Sequence, residues 1–421
     1  MEKTLTIDIA SSRAGLSPEE IAAAEAAVRS LPLPPFAAYE PDSKAMRALG
    51  ERYAGKKNII IEGNGGSIST IRAYLSCFPE TGKNVFLLDT DDPDCIADIK
   101  RSFPIADTLL IVTSKSGESI NALADYLALR EYETVFVTGD KGALHEISQK
   151  EDIPVLRHPE ISGRFSGITE CALFPAVILG MDIDGIVRGA REMYGKCAPD
   201  SPFSENPALA LAAALDKLEK MDYTEVFLAI YSKKLSGFFE LITQLIHESV
   251  CKGDKGQSLY GGEAPENQHH TLQRFNFGRK NSAGLFVTVE DFEHDFPVSV
   301  PENLRGIRCR NIKLEQLGKM TLSGILRTEF EGTWKDTLEQ GIPAIRLGLK
   351  DISPETAGAF VAFWHYAAFY SAVLRGVNPF DQPGVEQGKI YTKAIMGKKG
   401  FEKEREHTDK FLASPVRQVI F

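Results

Sequence analysis

The stretch NIIIEGNGGS, residues 58–67, decides the fold of the first half of the chain. It begins with a short apolar run that does not alternate with polar residues, which is typical of a strand buried on both faces of a sheet. Glycines at positions 63, 65 and 66 follow, and helical spacing begins at residue 67. A strand, a tight turn and a helix in this order predict one unit of a parallel α/β sheet.

The same unit recurs as far as residue 157, where β-branched or aromatic runs alternate with helix-like stretches. The predicted strands are 58–62, 85–89, 108–114, 134–138 and 154–157, and the predicted helices are 67–76, 93–102, 117–131, 141–150, 170–179 and 184–195. This alternation favours a parallel sheet with helices on both faces.

Four parts are expected along the chain: a helical N-terminal extension at 1–50, a first α/β lobe at 51–196, a second lobe at 205–376, and a C-terminal loop and helix at 377–421. The proline-containing stretch 197–207 marks the boundary between the lobes. In the second lobe we predict strands at 225–231, 284–290, 306–312 and 344–347 and helices at 236–251, 321–339 and 354–376.

Composition excludes several classes of protein. The 421 residues carry 48 basic and 58 acidic side chains, a net charge of −10, which disfavours nucleic acid as a partner. No apolar run approaches the roughly 18 residues that would span a bilayer, and the first residues lack the apolar core of a signal peptide. The six cysteines are scattered without a CxxC pair, so we expect reduced thiols in a cytoplasmic protein and no zinc site.

Two turns follow strands of the first lobe, and the carboxyl ends of parallel strands meet at one edge of the sheet. The turn at 62–67, EGNGGS, contains Gly66 and Ser67, and the turn at 114–119, SKSGES, has three hydroxyls and an ammonium. Hydroxyls and free amides at helix starts favour an anion, so the two turns predict one phosphomonoester site. The spacing lacks the GxxxxGK[ST] pattern of nucleoside triphosphatases, and a cluster of N-cap serines remains the simpler alternative.

Three further segments could carry chemistry. Arg164 lies in GRFSG, where a guanidinium on a glycine-flanked loop could stabilise negative charge or could simply be exposed. Glu248 lies near the end of an apolar helix. A glutamate near a buried face is costly unless it is paired or functional, so Glu248 is either a functional acid or a partly exposed acid at the helix end. His269 follows NQ in a polar turn without metal-ligand spacing, and His365 in FVAFWHYAAFY is expected to be a core histidine.

The segment 378–389, NPFDQPGVEQGK, has turn residues first and then Gln382, Glu386 and Lys389 at helix-compatible spacing. It resembles the C-terminal signature of the glucose-6-phosphate isomerase (phosphoglucose isomerase) family. GNGGS, SKSGES, GRFS, HES and NQHHTLQ resemble other segments of that family, and all six occur in the family's order over residues 63–389. The resemblance implies two sugar-isomerase (SIS-type) parallel-sheet sandwich lobes with helical N- and C-terminal extensions.

The resemblance also implies the activity: interconversion of glucose 6-phosphate and fructose 6-phosphate, a step of glycolysis and gluconeogenesis, without cofactor or metal. Glu248 is then the base that moves a proton between C1 and C2 through a cis-enediol, and Arg164 stabilises the enediolate. His269 and Lys389 assist ring opening, and Gln382 positions the substrate. In the family the histidine reaches the neighbouring subunit's site, which implies a homodimer.

The remaining implied residues bind the substrate. The hydroxyls of Ser114, Ser116 and Ser119, with the amide of Lys115, hold the phosphate, while Gly66 and Ser67 line the sugar. Glu118 departs from the family, which usually has a small hydroxyl residue there. Because an inward carboxylate would repel the phosphate, we expect the Glu118 side chain to point into solvent.

Three alternatives stay open at this stage. A non-catalytic sugar-phosphate sensor would keep the serines but need not keep Glu248, His269 and Lys389 together. A bifunctional phosphoglucose/phosphomannose isomerase would differ only in tolerance of the C2 epimer. An amino-sugar or aminotransferring isomerase should bring a glutaminase domain or lack the segment at 378–389.

Overall fold

The computed structural model describes residues 4–9 and 13–413, so the end of the expected C-terminal extension, 414–421, lies outside the described residues. The strands are β1 (Leu5–Asp8), β2 (Asn58–Gly63), β3 (Asn84–Leu88), β4 (Thr108–Ser114), β5 (Glu133–Thr138), β6 (Val155–Arg157), β7 (Glu225–Ile230), β8 (Ser258–Glu263), β9 (Ser282–Val289), β10 (Arg308–Cys309), β11 (Ile312–Lys313) and β12 (Ala344–Leu349).

The α-helices are α1 (Pro18–Val28), α2 (Pro35–Ala38), α3 (Ser43–Glu51), α4 (Gly66–Cys77), α5 (Pro93–Ser102), α6 (Ile120–Ala128), α7 (Ala143–Glu151), α8 (Glu170–Ile178), α9 (Ile183–Lys196), α10 (Pro207–Lys220), α11 (Phe238–Val250), α12 (Thr271–Phe277), α13 (Leu314–Leu317), α14 (Leu322–Glu339), α15 (Pro354–Leu374), α16 (Glu386–Ile395) and α17 (Glu402–Leu412). Helix α10 follows the proline-containing stretch directly and was not predicted.

The first sheet has the strand order β3-β2-β4-β5-β6, and all its neighbouring strands are parallel. Its five strands are the five predicted ones, with ends that differ by at most two residues. Strands β2 and β4 are buried along their whole length, as an unalternated apolar run requires when helices cover both faces. Both predicted ligand turns therefore leave the carboxyl edge of adjacent strands.

The second sheet has the order β1-β12-β9-β7-β8. The predicted strand at 306–312 is wrong, because β10 and β11 form a separate, exposed two-stranded hairpin there. Strand β1 pairs antiparallel with β12, so the N-terminal extension is not purely helical but completes this sheet. Strand β8 was missed because Gly261 and Gly262 resemble a turn in the sequence.

The two lobes share the order and direction of four strands. Read from the same edge, β3-β2-β4-β5 corresponds to β8-β7-β9-β12, so β4 and β9 are equivalent third strands. The fifth strands differ, because β6 is parallel to β5 whereas β1 comes from the N-terminus and is antiparallel to β12. Their connections to the following helix differ greatly. Residues 115–119 join β4 to α6, whereas residues 290–321, including β10, β11 and α13, join β9 to α14. The first connection is the predicted phosphate turn.

The inner faces of both sheets meet in one hydrophobic core that includes Ile59 and Ile61 of β2, Leu228 of β7 and Leu285 of β9. Helix α15 runs through this core and is buried over most of its length. The expectation that no apolar stretch is long enough to span a bilayer is wrong for α15, the one described helix that could cross a membrane by length and hydropathy. Of its apolar window, 89% is packed inside the protein. His365 is a core histidine as predicted, with its Nδ1 2.7 Å from the Tyr194 hydroxyl.

Helices α9 and α15 approach so closely that two glycines are required at their crossing. A Cβ on Gly189 would lie 1.9 Å from the carbonyl oxygen of Glu355, and a Cβ on Gly358 would lie 1.9 Å from that of Ile186. Since each helix contacts the backbone of the other, neither helix can accommodate a methyl group without separating.

We expect Gly358→Ala to lower the free energy of unfolding by about 3 kcal/mol, since overpacking of a tight interface commonly costs roughly 1–3 kcal/mol. The measurement is urea unfolding monitored by circular dichroism. Gly195→Ala, on α9 with no atom within 4 Å of the added Cβ, is the matched control and should be neutral or slightly stabilising. Equal stability of the two variants would contradict the proposed role of this crossing.

Candidate active site

The side chain of Arg164 is the centre of the site. It lies in a short 3₁₀ turn, Gly163–Phe165, and only 2% of the residue is exposed. Its Nε donates to Ser249 Oγ at 2.8 Å, and its Nη1 donates to Glu248 Oε2 at 3.0 Å and Gln382 Oε1 at 2.9 Å. Its Nη2 donates to the carbonyl oxygens of residues 379 and 381 at 2.6 and 2.9 Å. All five N–H donors are therefore satisfied, and the buried arginine joins α11 to the C-terminal segment.

Glu248 is held at both carboxylate oxygens. Arg164 binds Oε2, while Gln244 Nε2, one turn earlier on α11, donates to Oε1 at 2.8 Å. Gln244 in turn accepts a hydrogen bond from Ser69 Oγ of α4 at 3.0 Å. The Glu248 side chain remains 32% exposed, so the carboxylate is fixed in orientation but reachable from solvent. Sequence reasoning missed Gln244, although its i, i+4 spacing to Glu248 was the available signal.

The glycine turn before α4 is explained by contact with the arginine turn. A Cβ on Gly66 would lie 2.2 Å from the Arg164 backbone nitrogen, so only glycine fits between α4 and this turn. Gly65 has a φ of +57°, and a Cβ there would lie 2.8 Å from Gln244 Nε2. The structure therefore brings Gly66 and the adjacent Ser67 beside the Arg164–Glu248 pair.

The segment 378–382 follows α15 and is bound from two sides, by Arg164 and by Lys252, which lies just after the end of α11. Arg164 binds it on one side, and Lys252 Nζ donates to the carbonyl oxygen of Asn378 and, at 2.7 Å, to both the carbonyl and Oδ1 of Asp381. The hydrogen bond from Lys252 lowers the pKa of Asp381. The Phe380 ring centroid lies 5.5 Å from that of Phe165. These contacts place Gln382 against the arginine.

The predicted phosphate loop lies at the carboxyl end of β4. Gly117 has a φ of +62°, which turns the chain toward Ser119, the N-cap of α6. The Ser119 hydroxyl makes no capping hydrogen bond, and among the described residues the hydroxyl of Ser114 has no partner either. The Ser116 hydroxyl accepts from the Glu118 amide at 3.2 Å, and Lys115 pairs with Glu160 at 3.2 Å. The hydroxyl of Ser119 at the helix start and the buried hydroxyl of Ser114 at the end of β4 are thus free to receive an anion.

Two predicted residues lie outside the arginine network. His269 is exposed at the end of a short 3₁₀ turn, Glu266–His269, after β8. Lys389 lies on α16, pairs with Glu386 at 3.0 Å and has a side chain that is 54% exposed. Within the part of the chain that the structure describes, neither side chain makes a hydrogen bond or ion pair with Arg164 or Glu248. A single chain therefore brings together the arginine, the glutamate and Gln382 but not these two residues.

Glu118 is exposed, as expected. Its Cγ lies 3.3 Å from the position that a Cβ on Gly142 would take, so the side chain is directed toward the loop after β5.

Two buried carboxyl groups lie behind the first glycine turn. Burial raises the pKa of Glu62 well above its usual range and raises the pKa of Asp125 to about 6. These two buried carboxyls stand close enough to repel each other when both are ionised.

Comparison with known proteins supports the resemblance to sugar-phosphate isomerases that the sequence segments indicated. The family model "Phosphoglucose isomerase" matches residues 334–413. A probable glucose-6-phosphate isomerase of Natronomonas pharaonis is 30% identical over 366 residues, which cover 84% of this chain and 82% of that protein. The crystal structure of a hypothetical protein from Thermus thermophilus is similar to this one with a TM-score of 0.81 at 25% identity. The similarity covers 93% of this chain and 99% of that one.

A glucose-6-phosphate isomerase structure from Chlamydia trachomatis has a TM-score of 0.77 at 19% identity, covers 98% of this chain and 92% of its own, and supports the fold. The duplicated sheets, the loop after β4 and the buried arginine that pairs with Glu248 define a two-lobed SIS-type phosphosugar isomerase. Within that class, the chain belongs to the glucose-6-phosphate isomerase family.

We expect Glu118→Thr to change the Michaelis constant for the sugar phosphate by less than about twofold, because an exposed carboxylate is screened by solvent. The measurement is initial rates at two ionic strengths. Ser116→Ala in the same loop is the positive control for a loss of phosphate binding. A Michaelis constant that falls strongly in Glu118→Thr would show that the carboxylate faces the phosphate.

Proposed function

We propose that the protein interconverts glucose 6-phosphate and fructose 6-phosphate by the residues that surround Arg164. The observation that carries this proposal is a carboxylate, Glu248, held 3.0 Å from a buried guanidinium and still open to solvent. An aldose–ketose shift needs a base whose orientation is fixed and a positive charge beside the oxygens that become negative. Membership of the family supports the same reaction.

The proton transfers follow from this arrangement. After ring opening, the Glu248 carboxylate removes the proton from C2. The electrons of the C2–H bond form the C1–C2 double bond of the cis-enediol, while the π electrons of the C1 carbonyl move to O1, which becomes negatively charged. Glu248 then returns the proton to C1, while a second proton moves between the two oxygens. The positive charge of Arg164 stabilises the enediolate, and Gln382 positions the sugar hydroxyls beside it.

The remaining residues bind the substrate and open its ring. Ser114, Ser116 and Ser119, with the Lys115 amide, hold the phosphate, and binding this remote group helps to orient the reacting carbons. Gly66 and Ser67 line the sugar. His269 and Lys389 move the ring-opening proton between O1 and O5.

We further propose that the protein is a homodimer with shared active sites and acts in the cytoplasm, on soluble sugar phosphates. His269 and Lys389 are exposed on the single chain, which fits sites completed at an interface. Helices α16 and α17 contact each other and expose large apolar side chains, namely Ile395, Met396, Phe411 and Leu412. Exposed apolar clusters of this kind mark association surfaces.

Replacing the base tests the reaction. We expect Glu248→Gln to lower kcat by about 10³-fold or more, because the amide cannot accept the proton while the shape is kept. Fructose 6-phosphate conversion is measured with a glucose-6-phosphate dehydrogenase as the coupling enzyme, with a chelator present. Glu240→Gln, on the exposed part of α11, is the matched control and should retain activity. An inactive wild type that binds sugar phosphate tightly would favour the sensor alternative.

A mixed dimer tests the sharing of sites. Differently tagged Glu248→Gln and His269→Ala chains are co-expressed, and the hybrid dimer is purified through both tags. If the histidine comes from the partner, one of the two sites has both groups, so the hybrid should show about half the wild-type rate while both parent homodimers are nearly inactive. A hybrid as inactive as its parents would place His269 and Glu248 of one chain in the same site.

A further inference from the structure

A cavity of about 430 Å³ lies at the carboxyl edge of the second sheet, between β9, β12 and the first turns of α14. It follows the third strand of its sheet, as the phosphate loop follows β4 in the first lobe. Arg164 and the residues that bind it are not among those that line this cavity. The second lobe therefore has a cavity at the position where the first lobe has the predicted phosphate loop, and this cavity is separate from the site around Arg164.

Two guanidinium groups line the cavity without a carboxylate partner among the residues that the structure describes. Arg346 of β12 is half-buried, donates through Nε to Thr288 Oγ1 at 3.2 Å and stands over the Phe330 ring, 4.9 Å from its centroid. Arg327 of α14 donates through Nη2 to the Glu290 carbonyl oxygen at 3.2 Å. Most of the N–H donors of both side chains are left for another acceptor.

The start of α14 is not the anion site, because the protein fills it with its own carboxylate. Asp295 accepts hydrogen bonds from the Ser323 amide at 3.0 Å and the Ser323 hydroxyl at 2.6 Å, and these bonds lower its pKa to about 2. In the first lobe the start of α6 is not filled in this way, and the hydroxyl of its N-cap, Ser119, makes no capping hydrogen bond. An anion in the second cavity must therefore be held by Arg327 and Arg346.

Three carboxylates, those of Glu290, Asp291 and Glu331, also line the cavity. They would repel a bare phosphate ion, but carboxylates are good acceptors for hydroxyl groups. The lining thus suits a molecule with an anionic group at one end and several hydrogen-bond donors at the other. A six-carbon sugar-alcohol phosphate has this character and fits a cavity of this size.

We propose that this cavity is a second binding site, which takes a small polyhydroxylated phosphate ester through Arg327 and Arg346. The phosphate accepts from the two guanidinium groups, and the hydroxyls donate to the carboxylates. The site does not depend on the reaction proposed above, because no catalytic residue takes part in it.

The probe is glucitol 6-phosphate, which has no carbonyl group and cannot be isomerised. Calorimetric titration of the full-length protein should find two sites per wild-type chain and one in Arg346→Met and Arg327→Met, with the lost site at least tenfold weaker. Inhibition of the isomerase by the same probe reports binding at the active site around Arg164 and should be unchanged in both variants. Inorganic phosphate should bind the second site at least tenfold more weakly than the probe.

Arg305→Met, an exposed arginine of the 290–321 connection, is the matched control and should keep two sites. Thermal unfolding checks that Arg346→Met is folded, and the exposed Arg327 gives a second variant that does not depend on buried packing. One site per wild-type chain, or two sites in both arginine variants, would overturn the proposal. A wild-type protein that binds the probe at two sites but has no isomerase activity would count against the proposed function and not against the second site.

Discussion

A buried guanidinium is the constraint on which the rest of this structure depends. A charge removed from water is costly unless every donor is satisfied, and burial lowers the pKa of Arg164 while Glu248 opposes that shift. The five donors of Arg164 are satisfied only when α11 and residues 379–382 meet at the same point. The backbone of Arg164 also contacts Gly66, which brings in the start of α4. One side chain thereby fixes the relative positions of both lobes and the C-terminal segment.

The duplicated topology explains how two similar lobes came to perform different tasks. In the first lobe a short connection after the third strand leaves hydroxyls and helix amides open. In the second lobe the long 290–321 connection returns Asp295 to the equivalent helix start and closes it. The second lobe contributes instead through α11, which carries Glu248, Ser249 and the supporting Gln244 on one helix. Phosphate binding, assigned to the loop after β4, and proton transfer, assigned to α11, thus depend on different elements of the fold.

The sequence predicted the first sheet well because its strands are central, parallel and buried on both faces, so the apolar runs are unbroken. It failed where an element depends on distant partners. Strand β1 exists because it pairs with β12, more than 300 residues away, and no local pattern marks that edge. Strand β8 contains Gly261, whose absent Cβ leaves room for the Leu228 carbonyl. Glu248 and Arg164 were singled out from their segments, but their contact, and the part played by Gln244, could not follow from one-dimensional spacing.

One part of the site, around Arg164 and Glu248, is held rigidly by hydrogen bonds, and another part, His269 and Lys389, is exposed. This division fits the chemistry proposed for the site. Removing a proton from carbon requires a base that does not reorient, and Glu248 is held by donors at both oxygens. Ring opening moves a proton between oxygens, which tolerates a more exposed group, and His269 and Lys389, the residues proposed for this step, are both exposed. If a second subunit supplies His269 or Lys389, the part of the site around Arg164 and Glu248 forms within one chain, whereas ring opening requires the dimer. An isolated chain could then bind the sugar phosphate and exchange a proton with an already open substrate, yet turn over the cyclic form slowly.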